Sequence, residues 1–206
     1  MRKLLFFLGL LAGLPRLAAA QTDDAPANTL LGLKAGASRT TFTGADADGQ
    51  HPKTGLHFGV LVNAKLGRVV SLQPEVLYAQ KGARLVDGRA ESFNRFSYLD
   101  VPLLVRLSRH GAFVEAGPQY SLLMSAKNKA GDVVKNVTDS FYSADWGYVA
   151  GLGYQLPNGL GLELRYSAGL RSTARPYVNA RNQTVRPELR NSGFQLALFY
   201  LISGPY

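Results

Sequence analysis

The stretch Leu160-Gly161-Leu162-Glu163-Leu164-Arg165-Tyr166-Ser167-Ala168-Gly169-Leu170 decides the fold. Leu160, Leu162, Leu164, Tyr166, Ala168 and Leu170 fall on one side of an extended chain, and Gly161, Glu163, Arg165, Ser167 and Gly169 on the other. Successive strand side chains point to opposite faces, so this is one apolar face backed by one polar face. A helical period would mix the two sets. The run also matches the roughly 9–11 residues that a tilted strand needs to cross a hydrocarbon layer. Soluble strands are nearer ~5–6 residues.

The same alternation recurs outward from this segment. Leu56, Phe58, Val60, Val62, Ala64 and Leu66 form one face of 56–66. Trp146, Tyr148, Ala150, Leu152, Tyr154 and Leu156 do so in 146–156, and Phe194, Leu196, Leu198, Tyr200 and Ile202 near the C-terminus. In all, eight strands are predicted, over 30–38, 55–67, 69–82, 93–109, 111–126, 141–156, 159–173 and 190–202. Tight turns are expected at Gly67-Arg68, Arg109-His110-Gly111 and Pro157-Asn158-Gly159, the last with the Asn-Gly hairpin signal. The other four connections, 39–54, 83–92, 127–140 and 174–189, are long and polar. Short turns on one side and long loops on the other predict an all-β, eight-stranded, antiparallel up-and-down transmembrane barrel, with periplasmic turns and four longer extracellular loops. A soluble barrel or sandwich would put the apolar faces inside. Lipid outside is favoured because the opposite faces, rich in glycine and charge, would make a poor core. Tyr78, Tyr120, Trp146, Tyr154 and Tyr166 also fall at strand ends, where aromatic girdles belong.

The N-terminus reads as an export signal. Arg2 and Lys3 precede an apolar run from Leu4 to Leu14, and Ala18-Ala19-Ala20 supplies a cleavage site before Gln21. The predicted organisation is a signal peptide over 1–20, a short periplasmic segment over 21–29 and a barrel domain over 30–206. Without Arg2, Lys3 and Arg16 the chain carries 20 Lys and Arg against 14 Asp and Glu, a net charge of +6. Outer-membrane lipid and lipopolysaccharide phosphates are therefore expected contacts; nucleic acid is not, given the location. There is no cysteine, so disulfides, thiolate chemistry and a lipid-modified cysteine anchor are excluded.

With the apolar parity outward, the inward charges are Lys34, Lys65, Glu75, Asp100, Arg106, Glu115, Asp145, Glu163 and Arg165. Side chains fill a barrel of this size, and buried charges must pair, so an internal polar network is expected. The alternative is a narrow pore. Pro74, Pro102 and Pro118 fall inside strands; proline removes a ladder bond, so bulges or register shifts are expected there. In and around the fourth loop stand Arg171, Arg175, Arg181, Arg186 and Arg190, with only Glu188 acidic. Arginine binds phosphate bidentately, making this a candidate anion or lipopolysaccharide contact, against the plainer reading of a solvated loop. His51, His57 and His110 show no metal-ligand spacing, and Asp46 and Asp48 lack a closing Glu for a calcium loop. No metal, cofactor or catalytic motif is expected. His57, inward near the outer end of its strand, is the one candidate for a lipid-modifying site, without a marked partner.

Four runs carry a family likeness: Leu33-Lys34-Ala35-Gly36, Ser71-Leu72-Gln73-Pro74-Glu75-Val76-Leu77-Tyr78-Ala79-Gln80-Lys81-Gly82, Tyr98-Leu99-Asp100-Val101-Pro102 and Glu115-Ala116-Gly117-Pro118-Gln119. Together they resemble the PorT-type, or porin family, outer-membrane β-barrel proteins of Bacteroidetes. The resemblance implies an outer-membrane barrel without a transferable catalytic motif, and for some relatives a link to protein secretion. The expected role is thus non-enzymatic: a structural or interaction component of the envelope, with a monomer favoured, contacting envelope or secretion proteins.

Overall fold

The computed structural model describes residues 29–47, 49–87, 90–130, 133–178 and 182–202. The predicted signal peptide and nearly all of the 21–29 segment lie outside the described residues. In chain order the strands are β1 (Thr29–Thr43), β2 (Gln50–Lys65), β3 (Val70–Asp87), β4 (Ala90–Arg109), β5 (Ala112–Ala130), a short β6 (Val133–Asn136), β7 (Ala144–Gln155), β8 (Leu160–Gly169), the two-residue β9 (Tyr177–Val178) and β10 (Thr184–Val185), and β11 (Arg190–Ile202). The eight long ones pair antiparallel around a ring, each with its neighbour in the chain. β5 pairs with β7, β8 with β11, and β11 with β1, which closes the barrel. β6 folds back on the outer end of β5, and β9 pairs with β10. Among the described residues, no helix is long and apolar enough to cross a membrane.

The alternation read in the sequence is the alternation of the wall. Leu162 is 49% exposed while Glu163, the next residue, is 1% exposed. The outward set includes Leu31, Leu33, Phe58, Leu152, Leu164, Leu196 and Leu198. An apolar surface of that extent is stable in lipid and would drive association in water. Outward aromatic pairs stand toward the loop end: Phe58 with Tyr78, Tyr120 with Trp146, and Tyr166 with Phe194, their ring centroids 5.4, 4.8 and 5.1 Å apart. Tyr154 and Tyr200 face outward near the opposite end. These are the two interfacial girdles of a membrane barrel.

Two sequence expectations are corrected. Residues 83–92 are not a loop: β3 and β4 continue as a ladder through Leu85–Ser92 and Val86–Glu91 to Asp87–Ala90. β1 and β5 likewise run to Thr43 and Ala130, past their predicted ends, whereas β7 and β8 are shorter than predicted. The stretch from Ala83 to Ser92 carries no apolar alternation that would mark a strand, and the backbone ladder goes on without it. The wall is consequently uneven, with 18, 20 and 19 residues in β3, β4 and β5 against 12 and 10 in β7 and β8.

The prolines do not shift register either. Pro74 pairs with Leu103 and Leu77 with Asp100 in one continuous register. Pro102 with Gln119 and Val105 with Ala116 share another, and Pro118 sits opposite Tyr148 within an unbroken run. Each proline removes its own N–H from the ladder while its fixed φ remains compatible with an extended chain. The result is an interrupted ladder between the flanking pairs. The register shifts lie elsewhere, between Pro52 and His57 on β2 and at Ser97/Tyr98, where β5 has Met124 as its extra residue.

Candidate functional site

The barrel interior is filled in tiers. At the middle, β1 supplies Lys34, β3 Glu75, β4 Arg106, β5 Glu115, and β8 both Glu163 and Arg165. All six side chains are nearly or fully excluded from solvent. Lys34 Nζ lies 2.7 Å from Glu75 Oε1 and 2.8 Å from Glu163 Oε1. Arg165 grips Glu75 with both terminal nitrogens, at 2.8 and 2.7 Å, and its Nε donates to Glu115 and lies 3.0 Å from Glu163 Oε1. Arg106 Nε and Nη2 meet Glu115 Oε2 at 3.0 and 2.9 Å. Three cations thus face three carboxylates, so the cluster is neutral, as burial requires. Gln73 donates to Glu75 at 2.6 Å, and Asn63 donates to Gln73 and Ser71, extending the network toward the periplasm.

Glycines make room for this tier. Arg165 reaches Glu115 across β7, where Gly151 stands between them in the ladder. A Cβ on Gly151 would come within 2.7 Å of Arg165 Cγ. Nearer the periplasm the Phe199 ring lies on Gly161, where a Cβ would meet Phe199 Cζ at 2.2 Å. Replacing Gly161 with alanine is therefore expected to destabilise the barrel by about 1–3 kcal/mol through overpacking, read as a lower urea midpoint after refolding into vesicles.

Above the central tier a second ionic group forms. Lys81 Nζ is 2.8 Å from Asp100 Oδ2 and 2.9 Å from Oδ1, and 4.8 Å from the centre of the Tyr98 ring. Asp145 is buried beside it, around a cavity shared with Lys81, Gln119, Ser121 and Asn191. His57 is 2% exposed, and neither ring nitrogen has a hydrogen-bond partner among the described residues. Apolar clusters flank the charged tiers on both sides. Phe42, Phe96, Tyr98 and Leu123 pack under Phe141, Val137 and Leu189 of the outer loops. Leu61, Phe113, Phe199 and Leu201 pack with Leu30 toward the periplasm.

The inward charges named from sequence divide accordingly. Lys34, Glu75, Arg106, Glu115, Glu163 and Arg165 converge in the central tier, while Asp100 and Asp145 belong to the outer one. Lys65 is a correction: it is exposed at the last residue of β2, where the side chain reaches the periplasmic mouth and not the interior. Lys81 is the member that the sequence reading omits, although it shares parity with Glu75 six residues earlier. Among the described residues, no group of three or more His, Asp or Glu is placed to hold a metal. His51 and His110 are exposed, and His110 turns the chain between β4 and β5 with φ 52°.

The outer rim is basic. Arg171, Arg175, Arg186 and Arg190 are exposed; Arg181 and Asp48 lie outside the described residues. Arg171 and Arg190 border a cavity of about 420 Å³ with Tyr142 and Glu188, and the Arg175 guanidinium lies 5.7 Å from the Tyr142 ring. The wall adds outward cations that the sequence reading did not group with them: Arg39, Arg95, Lys127 and Lys129. Arg39 stands opposite Phe194 in the ladder, beside the outer aromatic girdle.

Residues 19–175 match the family described as outer membrane protein beta-barrel domain. The chain belongs to this family. Its strands, girdles and turn-to-loop asymmetry are those of an outer-membrane barrel, and the outer membrane is its location. The structure of Neisserial surface protein A superposes with a TM-score of 0.59 at 12% identity, covering 84% of this chain and 97% of that one. Ail, the attachment invasion locus protein of Yersinia pestis, gives 0.48 at 11% identity, covering 85% and 99%. OprG from Pseudomonas aeruginosa gives 0.40 at 9%, covering 84% and 91%. At these identities the likeness concerns the fold. A search of curated sequences finds no match.

Proposed function

We propose that this family member is a non-enzymatic interaction component of the outer membrane, closed to solutes, whose outer rim engages lipopolysaccharide phosphates. The observation that carries the reading is the filled interior. A neutral cluster of six interlocked charges lies between two apolar layers, so an ion would have to break buried pairs at mid-membrane to pass. The barrel serves as a rigid anchor, and contact is left to its rim and loops. The PorT resemblance adds a narrower role, accessory to protein secretion, for which normal export of surface proteins in a deletion strain would be the contrary result.

Two measurements test the proposal. In planar bilayers the purified barrel is expected to show no stable conductance steps; regular open-channel steps would favour the narrow pore. For the rim, Arg39, Arg171 and Arg175 replaced together by alanine should weaken binding to lipopolysaccharide micelles by about 1 kcal/mol per charge removed. Unchanged affinity in that triple variant would refute the phosphate contact.

A further inference from the structure

At the periplasmic end the interior opens into a mouth of about 520 Å³, framed by the three tight turns. Its charged lining is Lys65, Arg68, Arg106 and Arg109, with His110 beside them, and among the described lining residues there is no carboxylate. Elsewhere inside the barrel, Lys34, Lys81 and Arg165 each face an acid. Arg106 forms the floor. It is 1% exposed, its guanidinium lies 3.7 Å from the centre of the Phe113 ring, and Nε and Nη2 are engaged by Glu115. Nη1 and Nη2 are both buried without a hydrogen-bond acceptor of good geometry among the described residues, Nη2 being held by its charge contact with Glu115. A buried donor left unmatched carries a desolvation cost, and a guanidinium fork fits phosphate oxygens.

We propose that this mouth binds a phosphate group, held by the exposed Lys65, Arg68 and Arg109 above the buried Arg106. A phosphate suits the site better than a carboxylate, because it brings up to two charges and three acceptor oxygens to the three exposed cations Lys65, Arg68 and Arg109. The group comes either from an inner-leaflet phospholipid or from a soluble phosphate ester. Val69, Val70 and Leu156 on the lip are exposed and apolar, a setting in which a headgroup can enter with its acyl chains still in the membrane.

The test uses the full chain refolded in octyl glucoside, a detergent without phosphate. Calorimetric titration with inorganic phosphate, and separately with mixed micelles containing phosphatidylglycerol, should show saturable binding to at least one. Saturation by inorganic phosphate identifies a soluble ligand as sufficient; saturation by phosphatidylglycerol alone identifies the lipid headgroup. Replacing Arg68 and Arg109 together by alanine should weaken the binding at least tenfold. Both residues are exposed in turns, and a retained gel shift on boiling confirms that the variant is folded. Replacing Arg175 and Arg190 at the outer rim should leave it unchanged, which separates this site from the lipopolysaccharide contact. Absence of saturable binding to both probes overturns the proposal. So does full affinity in the Arg68/Arg109 variant, or a loss that follows the outer rim.

Discussion

Arg165→Met is expected to lower the stability of the barrel by about 3–5 kcal/mol, the cost of stranding a buried charge. Arg165 is the member of the central tier that reaches all three glutamates. Methionine keeps much of the side-chain volume, so the loss is electrostatic and not a cavity. Without Arg165, two cations would face three carboxylates in a space closed to water. Equilibrium unfolding in urea after refolding into lipid vesicles measures the effect. Adding Glu75→Gln removes the excess negative charge, so the double variant should recover part of the stability instead of summing two losses. A simple sum would mean that the six charges act as separate pairs.

Phe96→Ala is expected to cost a similar amount, about 3–5 kcal/mol, for a different reason. Phe96 is fully buried in the outer apolar layer, edge-on to Phe42 at 5.4 Å and to Phe141 at 4.8 Å between ring centroids. Phe141 belongs to the connection between β6 and β7, so the ring joins a loop to the wall. Its removal should expose residues 137–142 to added protease while the strands below stay resistant. If cleavage there does not rise, Phe141 is held by other contacts, such as the Phe141–Ala174 bridge.

The lipid-facing part of the fold was legible because lipid imposes a strict rule on every second residue. Leu160 to Leu170 carries that rule on one line, and parity then placed Glu163 and Arg165 inward with no knowledge of their partners. The tall extensions of β3 to β5 were not legible, since stretches such as Lys127-Asn128-Lys129-Ala130 carry no apolar alternation. The central tier was legible as membership but not as geometry. Parity says that Glu115 and Arg165 point inward; it does not say that Gly151 lets one reach the other across a strand. Lys65 misled because parity continues past the point where the interior ends. The prolines misled in the other direction: a missing donor suggested a displaced strand, and the chain kept its register and gave up bonds instead.

The unequal wall gives the molecule a front and a back. A strand of 20 residues, at the usual tilt and rise, stands roughly 50 Å tall, while one of 10 residues barely spans the apolar layer. The long hairpins of β3 to β5 therefore rise above the apolar layer on one flank. On the other flank, beyond β7 and β8, the described residues form connections and the short β9–β10 pair. Arg171 and Arg175 stand exposed on that low side.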